Sequence, residues 1–274
     1  MIRDITLGQY FVSNSLVHRL DARAKILLLI YVIVLIFVTQ NVVSLLVVTL
    51  FSGLIMLLSG IPVKMYLKNI KVIIPIVIFT AILNIFYAKN GILLAEFWSI
   101  KIYSGGLLRA LYMAVRVLLL ILTSSVLTYT TTPNDLTDAI ERLLKPLKYI
   151  GLGNAVHTMS MMMTIALRFI PTLIEETDKI MNAQKARGAD IESGGLIQKV
   201  KALLPILIPL LISSVRRAYE LAEAMECRCY NGGKGRTRMK QLHLELRDYL
   251  SFVVFTLVLA AVILSNIFIN FGVV

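Results

Sequence analysis

The sequence predicts an all-α polytopic membrane protein with about five transmembrane helices and a polar domain of about three helices inserted before the last span. Of its 274 residues, 58% are hydrophobic and only 16% are charged. Soluble domains average roughly 45–50% apolar and about 25% charged residues. The mean hydropathy of +0.80 points the same way. This composition is typical of a chain that lies largely within a bilayer.

Five apolar segments approach the ~20 residues that a helix needs to cross a bilayer. They cover residues 24–40, 42–60, 70–88, 105–131 and 249–271. Between the first two, Thr39, Gln40 and Asn41 predict a tight uncharged turn. The predicted organisation is therefore a tail with four spans in residues 1–131, an inserted domain in 132–248 and a last span in 249–274.

The distribution of basic residues predicts the orientation. Lysines and arginines precede the first span and lie between the second and third spans: Arg3, Arg19, Arg23, Lys25, Lys64, Lys68 and Lys71. Because basic loops favour the cytoplasmic side, we expect the N-terminus and the insert inside and the C-terminus outside. The net charge of +12 fits this rule better than a nucleic-acid-binding surface.

The insert at 132–248 carries most of the charge, with 17 of the 28 basic and 13 of the 16 acidic residues. Thr132, Pro133 and Asp135 predict the start of a helix, through a capping side chain, a proline at the first position and an acid in the first turn. The apolar stripe of this helix continues to Leu147, and residues 151–153 (GLG) are predicted to end it.

Two longer helices are predicted at 154–186 and 196–227. Each has an apolar half, at 159–170 and 202–212, and a charged half. Apolar runs of about 10–14 residues are typical of buried or interfacial helices, so we expect these helices to lie along the inner leaflet. A pair of additional spans is the alternative, and it stays open because two more crossings preserve the orientation of both termini.

Both long helices are predicted to end in an arginine between two small residues. These endings are Ala186, Arg187 and Gly188 in one helix and Cys227, Arg228 and Cys229 in the other. Small neighbours let a partner approach the backbone, and the guanidinium group offers donors in a rigid fork. Helix capping is the alternative, since basic residues and glycine are common at C-terminal ends.

A cluster of methionines begins the second helix of the insert. Met159, Met162 and Met163 surround Met161. Methionine packs adaptably and is common on surfaces that contact several partners, so these three residues are candidates for contact with a partner subunit. Ordinary filling of gaps between helices is the alternative.

Arg116 is a candidate intramembrane charge. It lies eleven residues after Gly105, which corresponds to about 16 Å along a helix. A charge at that depth is costly and usually bonded to other groups. With no acidic residue inside a predicted span, we expect Arg116 to bond carbonyls or polar side chains, unless the span begins elsewhere.

Several motifs together resemble one known family. They are residues 18–25 (HRLDARAK), 130–133 (TTTP), 166–171 (ALRFIP) and 186–188 (ARG). The chain resembles, over essentially its whole length, the transmembrane T components of energy-coupling factor (ECF) transporters. The resemblance implies that Arg187 and Arg228 each dock on one of two ATPase subunits, A and A′. The second motif departs from the Ala-Arg-Gly pattern of the family, because cysteines flank Arg228.

The resemblance also implies a non-catalytic subunit in a bacterial cell membrane. The partner ATPases would use ATP and Mg²⁺, and a separate, exchangeable S component would bind a vitamin or another micronutrient. The sequence contains no phosphate-binding G-x-x-x-x-G-K-[ST] motif. Its cysteines and histidines have no zinc-ligand spacing, so no cofactor and no metal is expected on this chain.

Other functions remain as alternatives. A T component dedicated to cobalt, nickel or biotin would have the same features, because the partner determines the substrate. An unrelated polytopic membrane enzyme would need a clustered nucleophile, acid pair or metal set. A channel would need polar residues along several spans, where they are sparse.

Overall fold

The computed structural model describes residues 10–87, 93–97, 100–189, 195–232 and 243–268. Within these ranges the chain is predominantly helical, which confirms the predicted fold class. The helices and strands, in chain order, are α1 (Ala22–Val38), α2 (Val42–Leu58), α3 (Val63–Tyr87), β1 (Leu93–Phe97), β2 (Ile100–Tyr103), α4 (Ser104–Thr130), α5 (Pro133–Leu143), a 3-10 helix (Lys145–Ile150), α6 (Gly153–Ala186), α7 (Leu196–Cys227) and α8 (Leu246–Phe268). The antiparallel pair β1–β2 lies between the predicted third and fourth spans.

The contacts divide the described residues into two compact units. One contains residues 10–136 and 243–268, and the other contains 137–232. The first is a bundle of α1, α2, α3, α4 and α8, in which α4 packs against α1, α2 and α3, and α8 packs against α1 and α2. Each of the five predicted spans corresponds to one helix of this bundle.

The boundaries of the third span differ from the prediction. Helix α3 begins at Val63 rather than at residue 70, so Lys64, Lys68 and Lys71 lie in its first turns and not in a loop. Pro62 precedes the helix, and proline tends to mark a helix start because it lacks an N–H group.

The lengths of the helices bear on which of them cross a membrane. Among the described residues, four helices are long and apolar enough by length and composition: Val63–Phe86, Ser104–Thr130, Val200–Cys227 and Leu246–Phe268. Helix α2 is apolar but has only 17 residues, as has α1, so each is about 26 Å long. The presence of α7 in this group leaves the alternative of additional spans open.

The predicted start of α5 is confirmed. The hydroxyl of Thr132 accepts a hydrogen bond from the Asp135 backbone N–H at 3.2 Å and donates to the Asp135 carboxylate at 2.7 Å. The predicted continuation of this helix to Leu147 is wrong, because α5 ends at Leu143 and a 3-10 helix follows. Pro146 explains the break, since it has no N–H group to continue the α-helical hydrogen bonds and disfavours helical geometry in the preceding residue.

A polar network joins three helix ends of the bundle. The Asp248 carboxylate, 2% exposed, accepts hydrogen bonds from the backbone N–H groups of Asp21 at 3.0 Å and Glu245 at 2.8 Å. Lys25 donates to the carbonyl of Thr130 at 2.8 Å. These bonds connect the start of α1, the end of α4 and the start of α8, and they satisfy backbone groups that helix ends leave open.

His18 fastens the segment before α1. Its Nε2 lies 2.8 Å from the carbonyl oxygen of Phe11, and its Nδ1 lies 2.6 Å from the Ser15 hydroxyl. Neutral imidazole satisfies both contacts, with one nitrogen donating and the other accepting. Burial lowers the pKa of His18 below its ordinary value of 6.5, the Phe11 carbonyl opposes this shift, and the charge of Lys25 adds to it.

We predict that Asp248→Ala destabilises the bundle by about 2–4 kcal/mol, because the backbone N–H groups of Asp21 and Glu245 lose their acceptor and the nearby cations lose a buried counter-charge. Thermal unfolding of the purified chain in detergent measures this. Glu245→Ala is the matched control, since the Glu245 side chain is 63% exposed, and it should stay within about 0.5 kcal/mol of the unsubstituted chain. Equal effects of the two substitutions would contradict a role for the buried carboxylate.

Acidification should weaken the attachment of the segment that contains His18. The pKa of His18 is lower in the folded chain, so its stabilising contribution is complete above pH 6.5 and is lost as the pH falls through 6.5 towards the folded value. The unfolding temperature of the unsubstituted chain should therefore fall more between pH 7.5 and pH 5.5 than that of His18→Gln. Parallel curves for the two chains would rule this out.

Candidate functional site

Helices α6 and α7 form an antiparallel pair. Three contacts connect them at successive positions: the Tyr230 hydroxyl with Met161 Sδ at 2.9 Å, Arg217 with Glu176 at 2.9 Å, and Gln184 Nε2 with the Pro205 carbonyl at 3.5 Å. The residue numbers rise along one helix and fall along the other. The two helices therefore run in opposite directions over most of their length.

The middle and one end of the pair are held by polar contacts. The Glu176 carboxylate accepts hydrogen bonds from the Ser213 hydroxyl and from Arg217, and these bonds lower the pKa of Glu176 below its ordinary value. At the end, the Pro205 carbonyl lacks its usual helical donor because residue 209 is also a proline. The side chain of Gln184 occupies that position.

The antiparallel arrangement places the two candidate arginines at opposite ends of the pair. Arg187 follows the last residue of α6, three positions after Gln184. Arg228 follows the last residue of α7, two positions before Tyr230, which contacts Met161 near the start of α6. From Met161 to Arg187 the rise of α6 is about 39 Å.

The end of α6 has a Schellman geometry. Gly188 adopts a left-handed conformation with φ +85°. Its N–H donates to the Lys185 carbonyl at 3.0 Å, and the Ala189 N–H donates to the Gln184 carbonyl at 3.0 Å. A Cβ atom on Gly188 would meet no atom within 4 Å, so the glycine is needed for its backbone conformation and not for space.

The end of α7 has the same backbone geometry with different residues. Cys229 has φ +55°, and among the described residues it is the one non-glycine residue with a positive φ. Its N–H donates to the Glu226 carbonyl at 2.8 Å, and the Tyr230 N–H donates to the Met225 carbonyl at 3.0 Å. These bonds match those of α6 when Arg187 is aligned with Arg228. Cys229 therefore adopts the conformation that glycine provides in the first motif.

Both arginine side chains are exposed, as are the small residues that flank them. Within the described part of the chain, neither the Arg187 nor the Arg228 guanidinium group has a hydrogen bond or an ion pair. The backbones of Gly188 and Cys229 carry out the capping. Capping thus explains the residues after the arginines, and it leaves both guanidinium groups available to a partner.

The methionines at the start of α6 separate into two kinds. Met161 contacts Tyr230 across the helix pair, as expected of a residue that fills an interface. The three candidate contact residues face outward, with Met159 70%, Met162 62% and Met163 54% exposed. Gap filling within the pair therefore accounts for Met161 and not for the other three.

Arg116 makes the kind of contacts that the sequence predicts. Its guanidinium group donates to the Thr39 carbonyl at 2.6 Å and to the Tyr112 hydroxyl at 3.2 Å, and it lies 4.9 Å from the centre of the Tyr112 ring. Tyr112 in turn donates to the Thr39 hydroxyl at 2.9 Å. Thr39 follows the last residue of α1. The Arg116 guanidinium group therefore lies beside the turn between α1 and α2, at one end of these two short helices.

The polar network of Asp21, Lys25 and Asp248 is a feature that the sequence does not reveal. Two of these residues lie in a motif that supports the family resemblance, but the motif alone does not show which groups they contact. Their partners lie 105 and 227 residues away in the sequence. A charged residue at the very start of an apolar segment, as Lys25 is, was the available signal.

These features define a class of protein. It is a multi-pass helical membrane protein with two long paired helices, each of which ends in an exposed arginine. Comparison with known proteins is consistent with this class. A family model described as CbiQ, cobalt transport protein, matches residues 13–239.

Curated relatives match over nearly the whole chain. The energy-coupling factor transporter transmembrane protein EcfT of Ruminiclostridium cellulolyticum is 53% identical, over 91% of this chain and 92% of the relative. The EcfT proteins of Clostridium kluyveri and Bacillus subtilis are 49% and 43% identical, over 97% and 96% of this chain and 98% of each relative. The chain therefore belongs to the EcfT family of ECF transporter transmembrane proteins, and it is a multi-pass protein of the cell membrane.

The two helix ends should respond in opposite ways to substitution. Gly188→Ala should weaken the last turn of α6 by about 1 kcal/mol, and Cys229→Gly should strengthen the last turn of α7 by a similar amount, because a left-handed conformation costs side-chain-bearing residues about that much. Amide hydrogen exchange of residues 183–189 should become about fivefold faster in Gly188→Ala. Exchange of residues 224–230 should become about fivefold slower in Cys229→Gly. Gly53→Ala in α2, with open space around the added atom, should leave both ends unchanged. Exchange rates that move in the same direction in both variants would contradict the shared geometry.

Proposed function

We propose that this chain is the coupling scaffold of an ECF transporter. It passes the ATP-driven motion of two ATPase subunits to a separate membrane subunit that binds the substrate. The observation that carries this proposal is the matched pair of helix ends. Arg187 and Arg228 follow helices with the same terminal backbone geometry, and both side chains are exposed and unpaired within the described residues.

The spacing of the arginines favours two docking sites and not one. About 39 Å of helix separates the two ends, a distance greater than the width of a small domain. Each guanidinium group offers a planar fork of donors that suits carboxylate or carbonyl oxygens in a groove. Two ATPase subunits, A and A′, each receiving one arginine, would satisfy this arrangement. ATP and Mg²⁺ would be bound by those subunits.

The exposed methionines are the proposed contact with the S component. Met159, Met162 and Met163 offer adaptable apolar surface, which suits a position that receives different partners in turn. Helix α7 adds further exposed apolar residues: Leu203, Leu204, Leu207, Ile208, Leu211 and Ile212. The S component would then determine which vitamin or other micronutrient is taken up.

The proposed function requires that the paired helices reach the cytoplasm, where ATP is hydrolysed. The basic residues Lys64, Lys68 and Lys71 in the first turns of α3 support an orientation with the N-terminus and residues 132–248 inside and the C-terminus outside.

A transporter dedicated to one substrate is the second candidate. The description of the matching family, cobalt transport protein, favours it. The two candidates differ in the partners that the chain should recruit. A shared scaffold should co-purify with several small hydrophobic S components, and a dedicated one with a single kind.

Replacing both arginines should separate the chain from its ATPases. We expect Arg187→Glu with Arg228→Glu to abolish ATPase co-purification from membranes, because each carboxylate would repel the acceptor groups proposed in the groove. Each single variant should retain one ATPase contact and show partial loss. The pull-down of a tagged chain, quantified against the amount of chain in the membrane, measures this.

Arg216→Glu is the matched control, since Arg216 is an exposed arginine within α7 and away from its end. It should leave ATPase recovery unchanged. Full ATPase recovery with the double variant, or equal loss with the control, would refute the docking role of Arg187 and Arg228.

A further inference from the structure

An apolar cavity of about 340 Å³ lies within the bundle, between α1, α2, α4 and α8. This volume falls in the range of sites that bind small molecules, about 300–1,000 Å³. The lining side chains are mostly leucine, valine, isoleucine and phenylalanine. Two lining hydroxyls, of Thr123 and Ser251, donate to carbonyls of their own helices, so they make little demand for water or a polar ligand.

The cavity is a shaft that begins at the polar network. Each helix contributes a stretch of similar length: residues 25–32, 51–58, 123–130 and 247–255. Seven or eight residues of helix correspond to about 10–12 Å. The contact between Lys25 and the Thr130 carbonyl sets one end of the shaft, and the opposite end lies among Val32, Phe51 and Phe255.

Two cations line the end of the shaft at the polar network, and the nearby carboxylates of Asp21, Asp135 and Asp248 offset the charge of Lys25. The two cations are Lys25 and Arg247, and among the described lining residues there is no carboxylate. Arg247 is 51% exposed, and its Nε lies 3.6 Å from the carboxylate of Glu245, which is 63% exposed. Ion pairs between such exposed side chains contribute little to stability. Thr130, 2% exposed, also lines this end. Its hydroxyl is buried and has no hydrogen-bond partner within the described part of the chain.

The shaft is open along one side. Leu54, Leu250 and Val254 line it and are about half exposed, at 53%, 58% and 46%. These residues belong to bundle helices of a membrane protein, so the opening faces either hydrocarbon or another apolar surface. A long apolar molecule could therefore enter sideways.

We propose that the shaft binds one acyl chain of an anionic phospholipid, with the headgroup phosphate at Arg247. An apolar shaft with a cation at one end matches an amphiphile that has one charged end, and basic residues near the membrane surface attract anionic lipids. Water alone would be a poor occupant, because it needs two to four polar partners.

Native mass spectrometry of the full chain in mild detergent tests this proposal. The probes are phosphatidylglycerol and phosphatidylcholine with identical acyl chains, added separately and in competition. We expect one retained lipid per chain, with phosphatidylglycerol preferred about fivefold, the effect of one surface cation. Arg247→Gln should remove the preference. Lys64→Gln, an exposed lysine of α3 outside the cavity, should keep it.

A second pair of variants tests the cavity without changing charge. Val254→Trp should fill the opening and abolish retention, whereas Leu257→Trp, on the same helix and outside the lining, should retain the lipid. Leu54→Phe on the opposite wall repeats the test with a smaller change. Gel filtration verifies that each variant remains folded.

Several results would overturn the proposal. Equal retention by Val254→Trp and Leu257→Trp would mean that only adventitious lipid around the bundle is retained. An unchanged preference in Arg247→Gln would refute the headgroup assignment. Retention by the isolated chain that disappears in the assembled transporter would identify the occupant as an apolar segment of a partner subunit.

Discussion

The bundle depends most on the hydrogen bonds that the buried carboxylate of Asp248 accepts. This carboxylate joins the starts of α1 and α8, which are 227 residues apart in the sequence, by accepting the Asp21 N–H. Groups of a helix end that are shielded from water need hydrogen-bond partners from the protein itself. Lys25 has the complementary task and donates to the open carbonyl of Thr130 at the end of α4.

A similar solution appears at the opposite end of α1. Arg116 donates to the Thr39 carbonyl, and Asn266 of α8 donates to the Val38 carbonyl at 2.8 Å. With both ends of α1 fastened by polar contacts, α1, α2, α4 and α8 need not be fully close-packed in between. This explains how an apolar cavity of 340 Å³, which begins at the polar network and opens along one side, can exist without loosening the ends of α1.

The second unit uses a different principle, because its polar contacts fix the direction of two helices. Glu176, with Ser213 and Arg217, and Gln184, with the Pro205 carbonyl, keep α6 and α7 antiparallel. One consequence is that two arginines, which follow helix ends of the same backbone geometry, lie at two separate ends of the pair. The proposed coupling depends on this separation, since a pair of parallel helices would bring both tips to the same side.

Local patterns in the sequence determined much of this protein. Long apolar runs predicted the five bundle helices, Thr132 and Pro133 predicted the start of α5, and the predicted bounds of α7, 196–227, agree with the structure. These features depend on neighbours within a few residues, so sequence alone is sufficient. The break at Pro146 was equally local, but the apolar stripe that continues to Leu147 concealed it.

Other features were decided by tertiary structure alone. The partners of Lys25 and Asp248 lie 105 and 227 residues away, and no periodicity indicates which distant backbone group a buried charge will meet. The sequence determined that two helices end in an arginine between small residues. Only the antiparallel packing of α6 and α7 placed those arginines at opposite ends, because direction depends on contacts between helices and not on the residues within either one.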